Sequence, residues 1–131
     1  MAFWNRKKML DLIKTFLENN NATYTVSNNE VSFEIHFNKN DFTIYPYLKV
    51  NEDNGTLILN INIKEVNSLT AEILHKINNF NAKSVYFKAF VNDDNILYLE
   101  YNTFANADNI INVLQGVIDS LFGLSDLIDE L

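Results

Sequence analysis

Thr56-Leu57-Ile58-Leu59-Asn60-Ile61-Asn62-Ile63-Lys64 decides the fold, because Leu57, Leu59, Ile61 and Ile63 fall on every second position between mostly polar neighbours. Successive side chains of a strand point to opposite faces, so this stretch reads as a half-buried strand of an antiparallel sheet. The same period runs upstream through Tyr24 and Val26, then Val31, Phe33, Ile35 and Phe37, then Phe42, Ile44, Pro46, Leu48 and Val50. That makes four strands between Thr23 and Lys64. Their breaks are Asn28-Asn29-Glu30, Asn38-Lys39-Asn40-Asp41 and Asn51-Glu52-Asp53-Asn54-Gly55, residues that tolerate the left-handed backbone of tight hairpins. Short connections imply a meander. Pro46 cannot donate to a ladder, so its strand should either lie at an edge or bulge there.

Helical periods flank this block. Met9, Leu10, Leu12, Ile13, Phe16 and Leu17 share one face of a first helix, with Lys7, Lys8, Asp11, Lys14 and Glu18 opposite, and Asn19 to Asn21 end it. Ser68 is the expected N-cap of a second helix, in which Leu69, Ile73, Leu74, Ile77 and Phe80 share a face and which closes at Asn81. Two further strands, 85–91 and 96–101, are joined by Asn92-Asp93-Asp94-Asn95. Asn106 or Asp108 then opens a third helix. Ile110, Ile111, Val113, Leu114, Val117, Ile118, Leu121 and Phe122 cover about half its circumference, and Gly123 breaks or bends it before Leu124, Leu127, Ile128 and Leu131. The expected order is α-β-β-β-β-α-β-β-α, an antiparallel sheet with helices packed on it, in a single α+β domain over residues 1–131.

Composition narrows the chemistry. The 131 residues contain no cysteine, which removes disulfides, thiolate metal sites and thiol nucleophiles, and only two histidines, His36 and His75. Gly55, Gly116 and Gly123 lie too far apart for a phosphate-cradling loop. The net charge of -7 repels a phosphate backbone, so no nucleic-acid partner is expected. Acidity concentrates in residues 66–131, which carry three basic and nine acidic side chains. The 22 asparagines are scattered and form no low-complexity tract.

Arg6, Lys7 and Lys8 before an apolar stretch mimic a targeting signal, but Asp11, Lys14 and Glu18 interrupt it, and cytoplasmic residence is the expectation. The same helix with Trp4 suggests a membrane-surface anchor; covering a sheet accounts for the stripe as well and is preferred. Glu34 and His36, two apart on a strand, point to one side and could form an acid/base pair or hold a metal. No third ligand or nucleophile is visible, so a solvated strand face is the reading taken. His75 reads as a surface histidine. Asp93 and Asp94 sit at a hairpin tip and read as turn formers, not a calcium site. Asp119, Asp126, Asp129 and Glu130 form a polar edge on the last helix, a solvated side or a docking site for a basic partner. No metal, cofactor or catalytic residue is assigned.

The sheet face turned away from the helices is more informative. It should collect Tyr45, Tyr47, Ile58, Tyr86, Phe90 and Tyr98 among Thr43, Asn60, Asn62 and Lys88, a composition typical of protein interfaces. Strand propensity is the competing explanation, since Tyr and Phe also favour exposed strand positions. A second candidate is the wide apolar face of the third helix, with Ile111, Val113, Val117 and Phe122 as a homodimer contact.

The order of elements resembles the type III secretion chaperone-like fold, and in particular the YbjN family of small bacterial proteins. Ile77-Asn78-Asn79-Phe80-Asn81 is similar to that family's repeated aliphatic-Asn pair at the end of the middle helix, where Asn81 is expected to take the left-handed conformation that closes a helix. Phe87, an Asp at the hairpin tip, and Ile96, Leu97 and Leu99 resemble its next hairpin. The resemblance runs from the first helix to Phe122. It implies an acidic, cytoplasmic, dimeric protein that binds an extended segment of a protein partner, and it carries over no catalytic residue. The leading expectation is therefore a non-catalytic protein-binding module, chaperone-like or regulatory. The alternatives are an acidic inhibitor or immunity-type protein blocking a basic partner site, and a small enzyme of unrecognised class using Glu34 and His36 or a pocket the sequence does not reveal.

Overall fold

Residues 8–38 and 41–123 are described by a computed structural model, in which the expected strand, helix and hairpin order is found. Helix α1 is Met9–Asn19. Strands β1 (Tyr24–Ser27), β2 (Glu30–Phe33), β3 (Ile35–Phe37), β4 (Phe42–Ile44), β5 (Tyr47–Asn51) and β6 (Thr56–Glu65) follow, then α2 (Ala71–Lys83), β7 (Lys88–Val91), β8 (Ile96–Phe104) and α3 (Ile110–Gly123). Six strands form one antiparallel sheet in the order β1-β2-β5-β6-β8-β7, and β3 and β4 form a separate ribbon.

The ribbon arises because two strands expected to be continuous are each interrupted. Ile35 pairs with Ile44 and Ser32 with Tyr47, a single register throughout, so Phe33 and Glu34 stand opposite Pro46 and Tyr45. Pro46 has no N–H to give, and the ladder breaks there. The Phe33 N–H still bonds the Pro46 carbonyl at 3.1 Å, while the Glu34 N–H turns to Thr23 O, also at 3.1 Å. Burial keeps its period across the break, with Val31, Phe33, Ile35 and Phe37 all buried.

Turn chemistry follows the expectation from composition. Asn28, Asp41 and Asn95 adopt φ of 55°, 49° and 61°, and Gly55 adopts 66°. These are the left-handed positions that Asn, Asp and Gly tolerate best. In the β7–β8 hairpin the Asn92 side chain accepts from the Asp94 N–H at 2.9 Å and the Ile96 N–H at 3.0 Å. Asp93 and Asp94 thus occupy a turn closed by its own asparagine.

One face of the large sheet carries the core. Val31, Leu48, Leu59 and Tyr101 form one row across it, and Ile61, Leu99 and Ala89 the next. Helices α1 and α3 pack on each other over this face, and Ile13, Leu17, Ile110 and Leu121 are at most 2% exposed within the same cluster. Fully burying each such side chain contributes roughly 1.5–3 kcal/mol. Helix α2 packs beside β7 through Ile77 and Phe80.

Helix ends depart from the sequence reading in three places. Helix α1 has no local side-chain cap; Glu52 from the β5–β6 turn supplies one, accepting the Met9 N–H at 2.8 Å and placing a carboxylate at the positive helix end. Thr70, not Ser68, caps α2, accepting the Ile73 N–H at 3.2 Å. Asn81 lies within α2, which continues to Lys83 and ends at an extended Ser84, so it is not a left-handed terminator. Its amide is used otherwise: Oδ1 accepts the Ala89 N–H at 2.6 Å and Nδ2 donates to the Ala89 carbonyl at 3.1 Å. Asn81 thereby closes the open edge of β7 as a neighbouring strand would.

Candidate protein-binding surface

Alternation in the six-stranded sheet puts a second set of rows on the face away from the helices. Thr25, Ser32, Tyr47, Asn60, Glu100 and Lys88 cross all six strands in register. The flanking rows are Ser27, Glu30, Lys49, Ile58 and Asn102 on one side, and Asn62, Tyr98 and Phe90 on the other. None of the described helices covers this face.

Four of the six residues expected here are brought together: Tyr47, Ile58, Phe90 and Tyr98. Phe90 and Tyr98 lie on neighbouring strands with ring centroids 5.6 Å apart and planes tilted by 33°, an attractive aromatic arrangement. Phe90 remains 44% exposed. The Tyr47 phenol is hydrogen-bonded to Glu30, whose carboxylate raises its pKa above the ordinary 10.0. Tyr47 and the Phe90–Tyr98 pair thus stand within a field of asparagine, lysine and glutamate.

Two expected members stand elsewhere. Tyr45 lies in the β4–β5 interruption and is 65% exposed. Tyr86 precedes β7, because the Ser84 hydroxyl accepts the Phe87 N–H at 3.1 Å and delays the strand until Lys88. The Tyr86 ring instead meets Tyr101 edge-on at 5.6 Å, on the helix-covered side of the sheet. Phe104, 78% exposed and paired with Thr56 on the outer face, was not anticipated. Ending the last strand at Tyr101 hid it; the phase of Tyr98, continued through Glu100 and Asn102, leads to Phe104.

The third-helix residues divide in the same way. Val117 is 2% exposed and Val113 packs against the core, so the width of the apolar face is used within the chain. Val117 cannot form a surface contact. Ile111 and Phe122 stay 39% and 52% exposed, and Phe122 also meets Phe37 edge-on at 5.5 Å.

Glu34 and His36 line the rim of a groove of about 380 Å³, whose apolar wall includes Phe16, Leu17, Phe33, Ile35, Ile118 and Phe122. Both ring nitrogens of His36 have neighbours, Nδ1 at 2.7 Å from Thr43 Oγ1 and Nε2 at 3.4 Å from Asp41. That arrangement joins the two strands of the ribbon. His75 is exposed on α2. Among the described residues no group of three His, Asp or Glu side chains could hold a metal ion, and no helix is long and apolar enough to cross a membrane. Asp119 accepts from Gln115 at 2.9 Å; Asp126, Asp129 and Glu130 lie outside the described residues.

The fold is similar to that of several solved structures. YbjN from E. coli matches with a TM-score of 0.65 at 16% identity, over 91% of this chain and 87% of that one. The type III secretion chaperone SycH of Yersinia pestis, solved with a stable fragment of YscM2, matches at 0.57 and 11%, over 94% and 98%. The ExsC-ExsE complex matches at 0.59 and 12%, over 89% and 90%. No curated protein sequence matches the chain. The YbjN family model, described as "Putative bacterial sensory transduction regulator", matches residues 9–126. With nearly its whole length covered, this chain belongs to the YbjN family.

Proposed function

We propose that this chain is a non-catalytic protein-binding module of the chaperone-like or regulatory kind, acting in the cytoplasm as a homodimer. One observation carries the reading: a six-stranded sheet face uncovered by the described helices, with Tyr47, Ile58, Phe90, Tyr98 and Phe104 set among polar side chains. Tyr and Phe supply large contact area with little side-chain freedom to lose, which makes such a face suited to a protein partner. SycH and ExsC, which share the fold, were each solved with a protein bound, and this supports the same use here. Ile111 and Phe122, exposed along α3, support a contact between two copies.

Affinity capture from the native host, with wild-type protein beside a Phe90→Ser/Tyr98→Ser double variant, tests the binding face. A protein retained by the wild type and lost by the folded double variant is expected; equal retention overturns the assignment of the face. Light scattering during size exclusion, at low and high salt, tests the dimer. A salt-resistant species of twice 15.2 kDa is expected, and a monomer at both salts removes the homodimer.

A further inference from the structure

The β5–β6 turn holds Asn54-Gly55, the chain's only asparagine followed by glycine. Three features favour attack of the Gly55 nitrogen on the Asn54 side chain. Glycine has no Cβ to shield its nitrogen. The Thr56 hydroxyl donates to Asn54 Oδ1 at 2.6 Å, which polarises the amide carbonyl toward attack. Asn54 is exposed, so water and base reach it.

We infer that Asn54-Gly55 is a deamidation and isomerisation site of the folded protein. The Gly55 nitrogen bonds to Asn54 Cγ and gives its proton to a solvent base; the Cγ–Nδ2 bond breaks and ammonia leaves, forming a succinimide. Water then opens the ring. Opening at the side-chain carbonyl gives aspartate, and opening at the main-chain carbonyl gives isoaspartate, whose main chain runs through the β-carbon. One water is consumed, one ammonia is released and nothing is oxidised or reduced.

The position gives the change a structural consequence. The Ala105 N–H donates to the Gly55 carbonyl at 2.9 Å, and a Cβ on Gly55 would stand 3.1 Å from the Ala105 oxygen. Two residues before Asn54, Glu52 caps α1 through the Met9 N–H. The turn therefore ties the start of α1 and the segment leading into α3 to one hairpin. An extra main-chain atom there loosens both ties.

The test is incubation of the full chain, folded, in mildly alkaline buffer, with peptide mapping by enzymatic isoaspartate methylation and amide hydrogen exchange on the aged protein. Isoaspartate is expected at Asn54 ahead of every other asparagine, including Asn67, which precedes Ser68; Thr56→Val slows it. Exchange at Met9 and Ala105 is expected to rise in the aged protein and to stay unchanged in Asn54→Gln carried through the same incubation. Conversion of Asn54 in urea but not in the folded protein overturns the inference. An equal rise in fresh Asn54→Asp assigns the loosening to charge and overturns the role given to the lengthened chain.

Discussion

Asn81 on α2 holds Ala89 on β7 through both of its backbone groups, with the amide oxygen 2.6 Å from the N–H and the amide nitrogen 3.1 Å from the carbonyl. A side chain here does the work of a seventh strand. Lys88 strengthens the junction from the next position, its Nζ donating to the Asn81 and Ser84 carbonyls at 2.9 and 2.8 Å, where the helix end is negative. Replacing Asn81 by Ala leaves both Ala89 groups without their partner, and is expected to lower stability by about 1–3 kcal/mol. Urea unfolding reads the loss, and the Ala89 amide should exchange faster. Asn81→Asp keeps the acceptor for the Ala89 N–H but sets a carboxylate oxygen against the Ala89 carbonyl near the negative end of α2, so it should not restore wild-type stability.

The Glu52 cap predicts a second effect, at a distance of 43 residues from the helix it serves. Glu52→Ala removes the acceptor for the Met9 N–H and the favourable charge at the α1 N-terminus. A cost of about 1 kcal/mol is expected, with hydrogen exchange rising in the first turn of α1 and not in α2.

In the core, Ile61 and Leu99 face each other in register at 0% exposure. Leu99→Ala empties a site that the sheet cannot collapse around, and is expected to cost about 2–5 kcal/mol by urea or thermal unfolding. Phe104→Ser, on the outer face, is expected to leave stability nearly unchanged.

These contrasts show how far the sequence could be read. Leu57, Leu59 and Ile61 announced their strand, because one-sided burial forces a period of two and the sheet obeys it. The interruption at Glu34 leaves no such mark: Val31, Phe33, Ile35 and Phe37 keep the same phase on both sides of it, and Pro46 on the partner strand points only to an edge or a bulge, whereas β5 lies inside the sheet and the ladder parts there. Asn81 misled because its capacity for a left-handed helix end is a local property, while its actual use depends on Ala89 lying beside it in the fold. Tyr86 was assigned to the sheet by parity alone; a serine hydroxyl two residues earlier holds the strand back and turns the ring to the opposite side. Four of the six outer-face residues were legible since their strands are regular where they sit.

A pH effect follows from Tyr24 and Tyr47. Hydrogen bonds to Glu18 and Glu30, respectively, raise both phenol pKa values above 10.0, with burial and the carboxylate charge adding to the shift. A raised folded-state value means these contacts contribute fully below pH 10.0 and are lost as pH rises through the higher folded values. Spectroscopic titration of tyrosinate should therefore show two late-ionising phenols in the folded chain. Tyr47→Phe should remove one of them, and Glu30→Gln should bring the Tyr47 transition to lower pH.

Engagement of a protein by the outer sheet face can be read by site-specific photo-crosslinking in the native host. A photoreactive residue is placed at Phe90, with a control at Glu72 on the exposed side of α2. A discrete adduct to a second polypeptide is expected from position 90, lost when Tyr98→Ser is added and absent from position 72. No adduct at 90, or the same adducts from both positions, contradicts that engagement.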